Sequence, residues 1–241
     1  MFKYVKTLKN NHAFTLAEVL ITLGIIGVVA AITIPGLMTK LKNHQIEAVL
    51  KEDYSILNQM MISAYDNGAL GVDASKINKI AGITEWFEEN FLPYIKVSSV
   101  CYDETGCWTQ KKYLSGSSTD SSQGCGQNTI SFILNNGSAV CIDDHAQSIF
   151  LSRFGIETDS ATGYCLRIDV NGDKNPNVVG KDVYMACFKE EVGMLVPAGA
   201  DMTMEQIKTN CSVKSTSSTS GAWCFSLVKN RGWKVVDVDK N

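Results

Sequence analysis

The sequence has little of what usually indicates an enzyme or a nucleic-acid-binding protein. Its 22 lysines and arginines are outnumbered by 25 acidic residues, and the basic residues are scattered rather than clustered. A basic patch for nucleic acid is therefore not indicated. The chain contains no G-x-S-x-G nucleophile motif and no phosphate-binding glycine motif. The sequence thus gives no specific nucleic-acid signal and no motif for catalysis.

Histidine is also scarce, with only 3 in 241 residues. His145 follows Asp143 and Asp144, but the sequence places no nucleophile beside it, as a catalytic base requires. We interpret His145 as a solvated histidine in a loop. We predict no catalytic residues and expect a protein that is not an enzyme.

Charge is missing from one long stretch near the N-terminus. Residues 19–39 contain no charged side chain, and residues 14–38 are apolar almost throughout, with Glu18 as their one charge. About 20 apolar residues suffice for a helix to cross a bilayer core of about 30 Å. A carboxylate costs on the order of 2.5–3.5 kcal/mol at the centre of such a helix and less near its end. The stretch predicts a membrane-spanning helix in which Glu18 needs a positively charged partner.

The residues before this helix suggest a leader peptide. Residues 1–13 contain three lysines and no acid, so the positive-inside rule keeps this arm in the cytoplasm. A small residue, Ala13, directly precedes Phe14. An ordinary secretory signal peptide, cut near residues 29–31, is one alternative, although its apolar region is typically about 7–15 residues long. A single-span anchor that is never cut is another.

With these residues the N-terminus resembles the prepilin family, which comprises type IV pilins, minor pilins and the pseudopilins of type II secretion. The match consists of the basic leader, Ala13, the sequence F-T-L-x-E from Phe14 to Glu18, and an apolar run with Gly27 and Pro35 at family-like places. It covers residues 1–41. Ala13 stands where the family usually has glycine.

The resemblance implies a route of processing and assembly. Prepilin peptidase, in the bacterial inner membrane, would remove residues 1–13 and methylate the amine of Phe14. Glu18 would pair with the Phe14 amine of a neighbouring pilin subunit, and Gly27 and Pro35 would belong to the helix used in assembly. The protein would begin as a single-pass inner-membrane protein and end in an extracytoplasmic filament, in the periplasm or at the cell surface.

The helix is expected to continue beyond the membrane. Pro35 should kink it, since proline removes a backbone donor, and Gly68 is a suitable residue to end it. Apolar residues three and four positions apart predict an amphipathic continuation. These residues are Ile46, Val49, Leu50, Leu57, Met60, Met61 and Ala64.

The rest of the chain predicts a mainly antiparallel sheet. Asn136 and Gly137 favour a tight turn between two strands, and further strands are predicted at residues 164–170, 183–188, 222–228 and 233–238. The fold class is therefore α+β and pilin-like, with a long N-terminal helix packed on the sheet. We predict a leader at 1–13, a membrane and filament-core helix at 14–38, its amphipathic continuation at 39–66 and an exported globular domain at 67–241.

All eight cysteines lie beyond the membrane helix, and their even number in an exported domain indicates disulfides. A zinc site is less favoured because no C-x₂₋₄-C pair occurs. Eight cysteines allow 105 pairings, and the sequence does not choose among them; pairing in sequential order is one hypothesis. The pair Cys211–Cys224 resembles the disulfide-closed C-terminal region of pilins. The others are Cys101, Cys107, Cys125, Cys141, Cys165 and Cys187.

Residues 169–182 are the one candidate metal site. Hard oxygen ligands at alternating positions can converge on Ca²⁺. The candidate ligands are Asp169, Asn171, Asp173, Asn175 and Asp182. The loop is not an EF-hand, since Lys174 and Gly180 stand where that motif has its glycine and its acid. The same residue types also make plain turns, and both interpretations stay open.

The predicted function is a structural subunit of a type IV pilus or a type II secretion filament. The large domain and its cysteines favour a minor pilin or pseudopilin. The alternative is a membrane-tethered, calcium-dependent binding protein, such as an adhesin or a DNA-uptake receptor, that uses a pilin-type anchor.

Overall fold

The computed structural model describes residues 15–71, 80–102, 106–119, 125, 130–235 and 237–239. The chain forms two compact units, one through Lys42 and one from Asn43 onward. Helix α1 (Leu16–Asp66) belongs to both units and is continuous, with Pro35 inside it. It ends just before Gly68, whose φ of 75° is the left-handed conformation that favours glycine.

In the first unit, the apolar side chains of α1 from Leu16 to Leu41 are exposed. An apolar helix without a polar face is not stable in water by itself, because it has nothing against which to bury its surface. Helix α1 is the one helix in the described ranges that is long and apolar enough to cross a membrane.

In the second unit, six strands form one antiparallel sheet. They are β1 (Val97–Tyr102), β2 (Ile130–Leu134), β3 (Ala139–Ala146), β4 (Thr162–Asp169), β5 (Val183–Lys189) and β6 (Met194–Pro197). The spatial order is β1 to β6, so each strand pairs with its neighbours in sequence. The predicted α+β class with an antiparallel sheet is confirmed, as is the β2–β3 hairpin through Asn136 and Gly137.

The described residues of this unit also form four further helices: α2 (Ile80–Asn90), α3 (Gln147–Phe154), α4 (Met204–Asn210) and α5 (Cys224–Asn230). Short 3₁₀ turns lie at Ala69–Gly71, Leu92–Tyr94 and Glu190–Val192.

The main core lies between α1, α2, α5 and one face of the sheet. Leu50, Leu57 and Met60 of α1 are fully buried there with Phe132 and Leu166 of the sheet. The amphipathic stripe predicted for residues 39–66 therefore packs as expected. A second cluster, which includes Trp108, Phe150, Phe154, Val183 and Met185, covers the other face. Strands β4 and β5 are consequently buried on both faces.

Helix α1 also closes one edge of the sheet. The hydroxyl of Tyr54 donates to the carbonyl of Leu195 in β6 at 2.6 Å, and the N–H of Leu195 donates to Oδ1 of Asn58 at 2.8 Å. Unpaired backbone groups on an edge strand are a common route to aggregation. Here two side chains from α1 satisfy them.

Two predicted strands near the C-terminus were wrong. Residues 222–228 fall in and before the α5 helix, and no strand is found between residues 233 and 238 in the part of the chain that the structure describes. A short apolar run cannot be assigned to strand or helix by its periodicity alone. Phe225, Leu227 and Val228 are all buried, which removed the alternation that would have distinguished the two.

Candidate functional site

Thr15 and Glu18 cap the N-terminal end of α1. The backbone N–H and the hydroxyl of Thr15 each donate to Oε2 of Glu18 at 2.8 Å, and the N–H of Glu18 donates to Oγ1 of Thr15 at 3.2 Å. This is a capping box, in which residues three apart satisfy backbone donors that the first turn of a helix leaves unpaired. The one acid of the apolar stretch thus has hydrogen-bond donors within its own chain. Ala13 and Phe14 lie outside the described residues.

Beyond Glu18, three glycines lie on the exposed apolar part of the helix. A Cβ atom added at Gly24, Gly27 or Gly36 would meet no atom within 4 Å. Small residues allow helices to approach closely in a membrane. The hydroxyl of Thr39 donates to the carbonyl of Pro35 at 3.0 Å. The structure leaves the predicted roles of Gly27 and Pro35 in assembly as predictions.

The candidate calcium loop joins β4 to β5, and the structure places Lys111 inside it. The side chain of Lys111 is 1% exposed, and its ammonium forms a buried ion pair with Asp169, which is itself fully buried. The ammonium also donates to Oδ1 of Asn177 at 2.7 Å and to the carbonyl of Gly172 at 3.3 Å. Burial raises the pKa of Asp169 to about 6, and Lys111 opposes this by favouring the charged carboxylate.

Asp182 holds the other end of the loop. Its Oδ1 accepts from the N–H of Val178 at 2.8 Å, and its Oδ2 accepts from the N–H of Asn177 at 2.9 Å and from Nδ2 of Asn171 at 3.1 Å. A buried carboxylate is stable when hydrogen bonds satisfy its oxygens. Asp182 therefore acts as the acceptor that closes the turn.

The other two candidate ligands, unlike Asp169 and Asp182, are not buried. The side chains of Asp173 and Asn175 are exposed, and Asn175 precedes Pro176 in a cis peptide bond. Within the described residues, no three His, Cys, Asp or Glu side chains form a group that could hold a metal ion. Calcium binding at this loop stays a prediction, and the position of Lys111 bears directly on it.

Sequence reasoning missed Lys111 because the residues next to it in the chain form no recognisable motif. It is separated from Asp169 by 58 positions and lies in a segment without helix or strand. Backbone hydrogen bonds bring it there: the N–H of Lys112 donates to the carbonyl of Asn177 at 3.0 Å, and the N–H of Val179 donates to the carbonyl of Lys112 at 2.8 Å. Such long-range pairing leaves no local pattern.

The prediction of disulfides is confirmed, since all eight cysteines are paired and none is free. The bonds join neighbouring cysteines in sequential order: Cys101–Cys107, Cys125–Cys141, Cys165–Cys187 and Cys211–Cys224. Cys165 and Cys187 are also direct cross-strand partners in β4 and β5.

The interpretation of His145 as a solvated loop residue was wrong. It lies in β3, its side chain is 10% exposed, and its ring packs on Phe154 with centroids 5.0 Å apart. Burial, aided by the charge of Arg153, lowers the pKa of His145 to about 4. The imidazole is therefore neutral at pH 7 and contributes to packing.

Comparison with known proteins identifies only the N-terminal part. Residues 8–34 match a family model described as the prokaryotic N-terminal methylation motif. No curated protein and no solved structure shows significant similarity to the chain. The match spans the junction between Ala13 and Phe14, Glu18 and most of the apolar stretch, through residue 34.

Proposed function

Because the chain carries the type IV prepilin signature at residues 8–34, we propose that it is a structural subunit of an extracytoplasmic filament. The motif and the single apolar helix fit a membrane-anchored protein of the type IV pilin or pseudopilin type. The observation that carries the proposal is the conjunction of this motif with a helix whose large apolar side chains, from Leu16 to Leu41, are exposed among the described residues of its unit. Such a surface needs lipid or other apolar helices around it.

Assembly follows from the chemistry of the N-terminus. Cleavage between Ala13 and Phe14 by prepilin peptidase creates an amine, and methylation keeps that amine positive. Glu18 of one subunit then pairs with the Phe14 amine of a neighbour, which sets the register between subunits. A charge in an apolar environment is costly when its partner is missing, so each subunit favours the register in which both charges are paired.

We further propose that the chain is a minor subunit, which its large globular unit with eight cysteines favours. Four disulfides, and a sheet buried on both faces at β4 and β5, make a domain suited to an oxidising space outside the cytoplasm. We propose that this domain lies on the filament surface, in a pilus or a type II secretion filament.

Intact-mass spectrometry of the protein purified from its own cells tests the proposal. The expected chain begins with N-methyl-Phe14 and is eight hydrogens lighter than the fully reduced form. A strain without prepilin peptidase is the control and should yield the chain with its leader. A mature chain that begins after the apolar stretch would indicate a secretory signal peptide. A processed chain found only as membrane monomers would favour a tethered binding protein instead.

A further inference from the structure

The ammonium of Lys111 lies against Asp169, the first of the candidate metal ligands in the 169–182 loop. The ammonium contacts oxygens of three loop residues, Asp169, Gly172 and Asn177, and it also donates to Oγ1 of Thr109 at 2.7 Å. Four oxygens thus surround one positive charge. An ammonium group has three donors and no acceptor, so an oxygen cage suits it in the same way as a hard cation.

In this arrangement the two buried acids of the loop, Asp169 and Asp182, already have partners. The charge of Asp169 is balanced by Lys111, and both oxygens of Asp182 accept hydrogen bonds from N–H groups. A calcium ion prefers six to eight oxygen ligands, with carboxylates among them. To bind beside Asp169 it would have to displace a buried ammonium, and the residues as placed do not fit it.

The segment that carries Lys111 is fixed to the loop on both sides. The residue next to it, Lys112, exchanges backbone hydrogen bonds with Asn177 and Val179 of the loop. The ammonium also lies 4.8 Å from the centroid of the Trp108 ring, a favourable cation–π distance. The lysine is therefore held in place by the fold and does not depend on a flexible side chain reaching across solvent.

We propose that the Lys111 ammonium is the built-in cation of the 169–182 loop, that it makes the loop independent of calcium, and that its removal leaves a site for a divalent cation. Removing the ammonium would take a donor away from Oδ2 of Asp169, from the carbonyl of Gly172 and from Oδ1 of Asn177. The N–H of Asn171 would still donate to Oδ1 of Asp169 at 3.2 Å, and Oγ1 of Thr109 to Oδ1 of Asn177 at 3.4 Å. Oδ1 of Asn171, which is buried without a hydrogen-bond partner among the described residues, is a further oxygen in the same loop. This inference does not depend on the proposed function.

Thermal unfolding of the full chain in detergent, with millimolar Ca²⁺ or with EDTA, tests the inference. The melting temperature of the wild type should be the same in both. Lys111→Met should melt several degrees lower in EDTA and recover part of this loss in Ca²⁺, because a ligand that binds only the folded state stabilises it. Lys112→Met is the matched control, since Lys112 is its exposed neighbour. That variant should behave as the wild type does.

A second variant covers the case in which Lys111→Met does not fold. Lys111→Met combined with Asp169→Asn removes both charges of the pair and should fold without responding to Ca²⁺. A rise in the wild-type melting temperature with Ca²⁺ would overturn the proposal, since the loop would then bind calcium with Lys111 present. A folded Lys111→Met variant that ignores Ca²⁺ would overturn the claim that removing the lysine leaves a cation site.

Discussion

Nδ2 of Asn136, in the turn of the β2–β3 hairpin, donates to Oδ1 of Asp53, in helix α1, at 2.7 Å. Asp53 is fully buried and has no basic partner among the salt bridges of the described residues. Burial raises its pKa to about 6 from the usual 3.8. The hydrogen bond fixes the hairpin to the helix, and the ionised carboxylate makes this arrangement costly at neutral pH.

The first prediction is that Asp53→Asn stabilises the protein at neutral pH. The amide keeps the oxygen that accepts from Asn136 and removes the buried charge. Since the folded-state pKa is raised, folding favours the protonated acid. The contribution of Asp53 to stability is therefore fully present below about pH 4 and is lost as the pH rises through about 6. At pH 7.5 the variant should be more stable by about 1–3 kcal/mol.

Urea unfolding as a function of pH, in detergent, measures this difference, which should shrink towards zero at about pH 4. Asp66→Asn is the control, because Asp66 is an exposed aspartate of the same helix. A difference between wild type and Asp53→Asn that does not change with pH would show that Asp53 has an ordinary pKa.

The second prediction concerns the edge of the sheet. Tyr54→Phe removes the hydroxyl that donates to the carbonyl of Leu195 and accepts from Nζ of Lys229 at 3.1 Å. A buried acceptor left without its donor costs about 1–3 kcal/mol, and the free energy of unfolding should fall by that amount. Tyr65→Phe, at a tyrosine of the same helix that is 39% exposed, should change it little. Equal losses in the two variants would refute a specific role for the Tyr54 hydroxyl.

The features that the sequence predicts well are those with a local pattern. The spacing of Leu50, Leu57 and Met60 marks the buried face of α1, and Asn136 and Gly137 mark a hairpin, because both patterns follow directly from helix and turn geometry. The apolar stretch and its single acid are equally local. Each of these predictions depends on residues that lie close together in the chain.

The features that the sequence misses depend on contacts between distant segments. Cys224 begins α5 and is bonded to Cys211 at the end of α4, so tertiary packing decides that residues 224–230 are helical. Lys111 is brought to Asp169 by backbone hydrogen bonds between segments that lie far apart in the chain. A loop rich in Asp and Asn is compatible with calcium, a lysine or a plain turn, and only the partner that the fold brings to it distinguishes them.

The third prediction ranks two of the disulfides. Cys165–Cys187 closes a chain segment of 22 residues and Cys101–Cys107 one of 6. In the loop-entropy model the longer closure stabilises the folded state by about 1 kcal/mol more. Cys165 and Cys187 are also fully buried, so their removal leaves a cavity in the core.

Replacing both cysteines of each pair by alanine and measuring urea unfolding of the oxidised protein tests this ranking. The loss of stability should be larger for the Cys165–Cys187 pair. The opposite order would show that the edge of the sheet near β1, and not its centre, limits stability.

The last prediction separates the two roles of Glu18. As part of the capping box it accepts hydrogen bonds from Thr15, and glutamine at this position can do the same. In the proposed assembly it pairs with a neighbour's Phe14 amine, which requires a negative charge. Glu18→Gln should therefore keep the start of α1 and the processing of the leader. It should nevertheless reduce incorporation into filaments by more than about tenfold, as Glu18→Ala should, because the amine is left without its counter-charge.

The amount of protein in sheared filaments, relative to the membrane fraction, measures incorporation, and the mass of the membrane-bound chain measures processing. Thr15→Ser is the matched control, since serine keeps the hydroxyl of the capping box and should assemble normally. If Glu18→Gln assembles as well as the wild type while Glu18→Ala does not, the carboxylate serves to cap the helix and its charge sets no register between subunits. If both variants assemble normally, Glu18 has no part in filament formation.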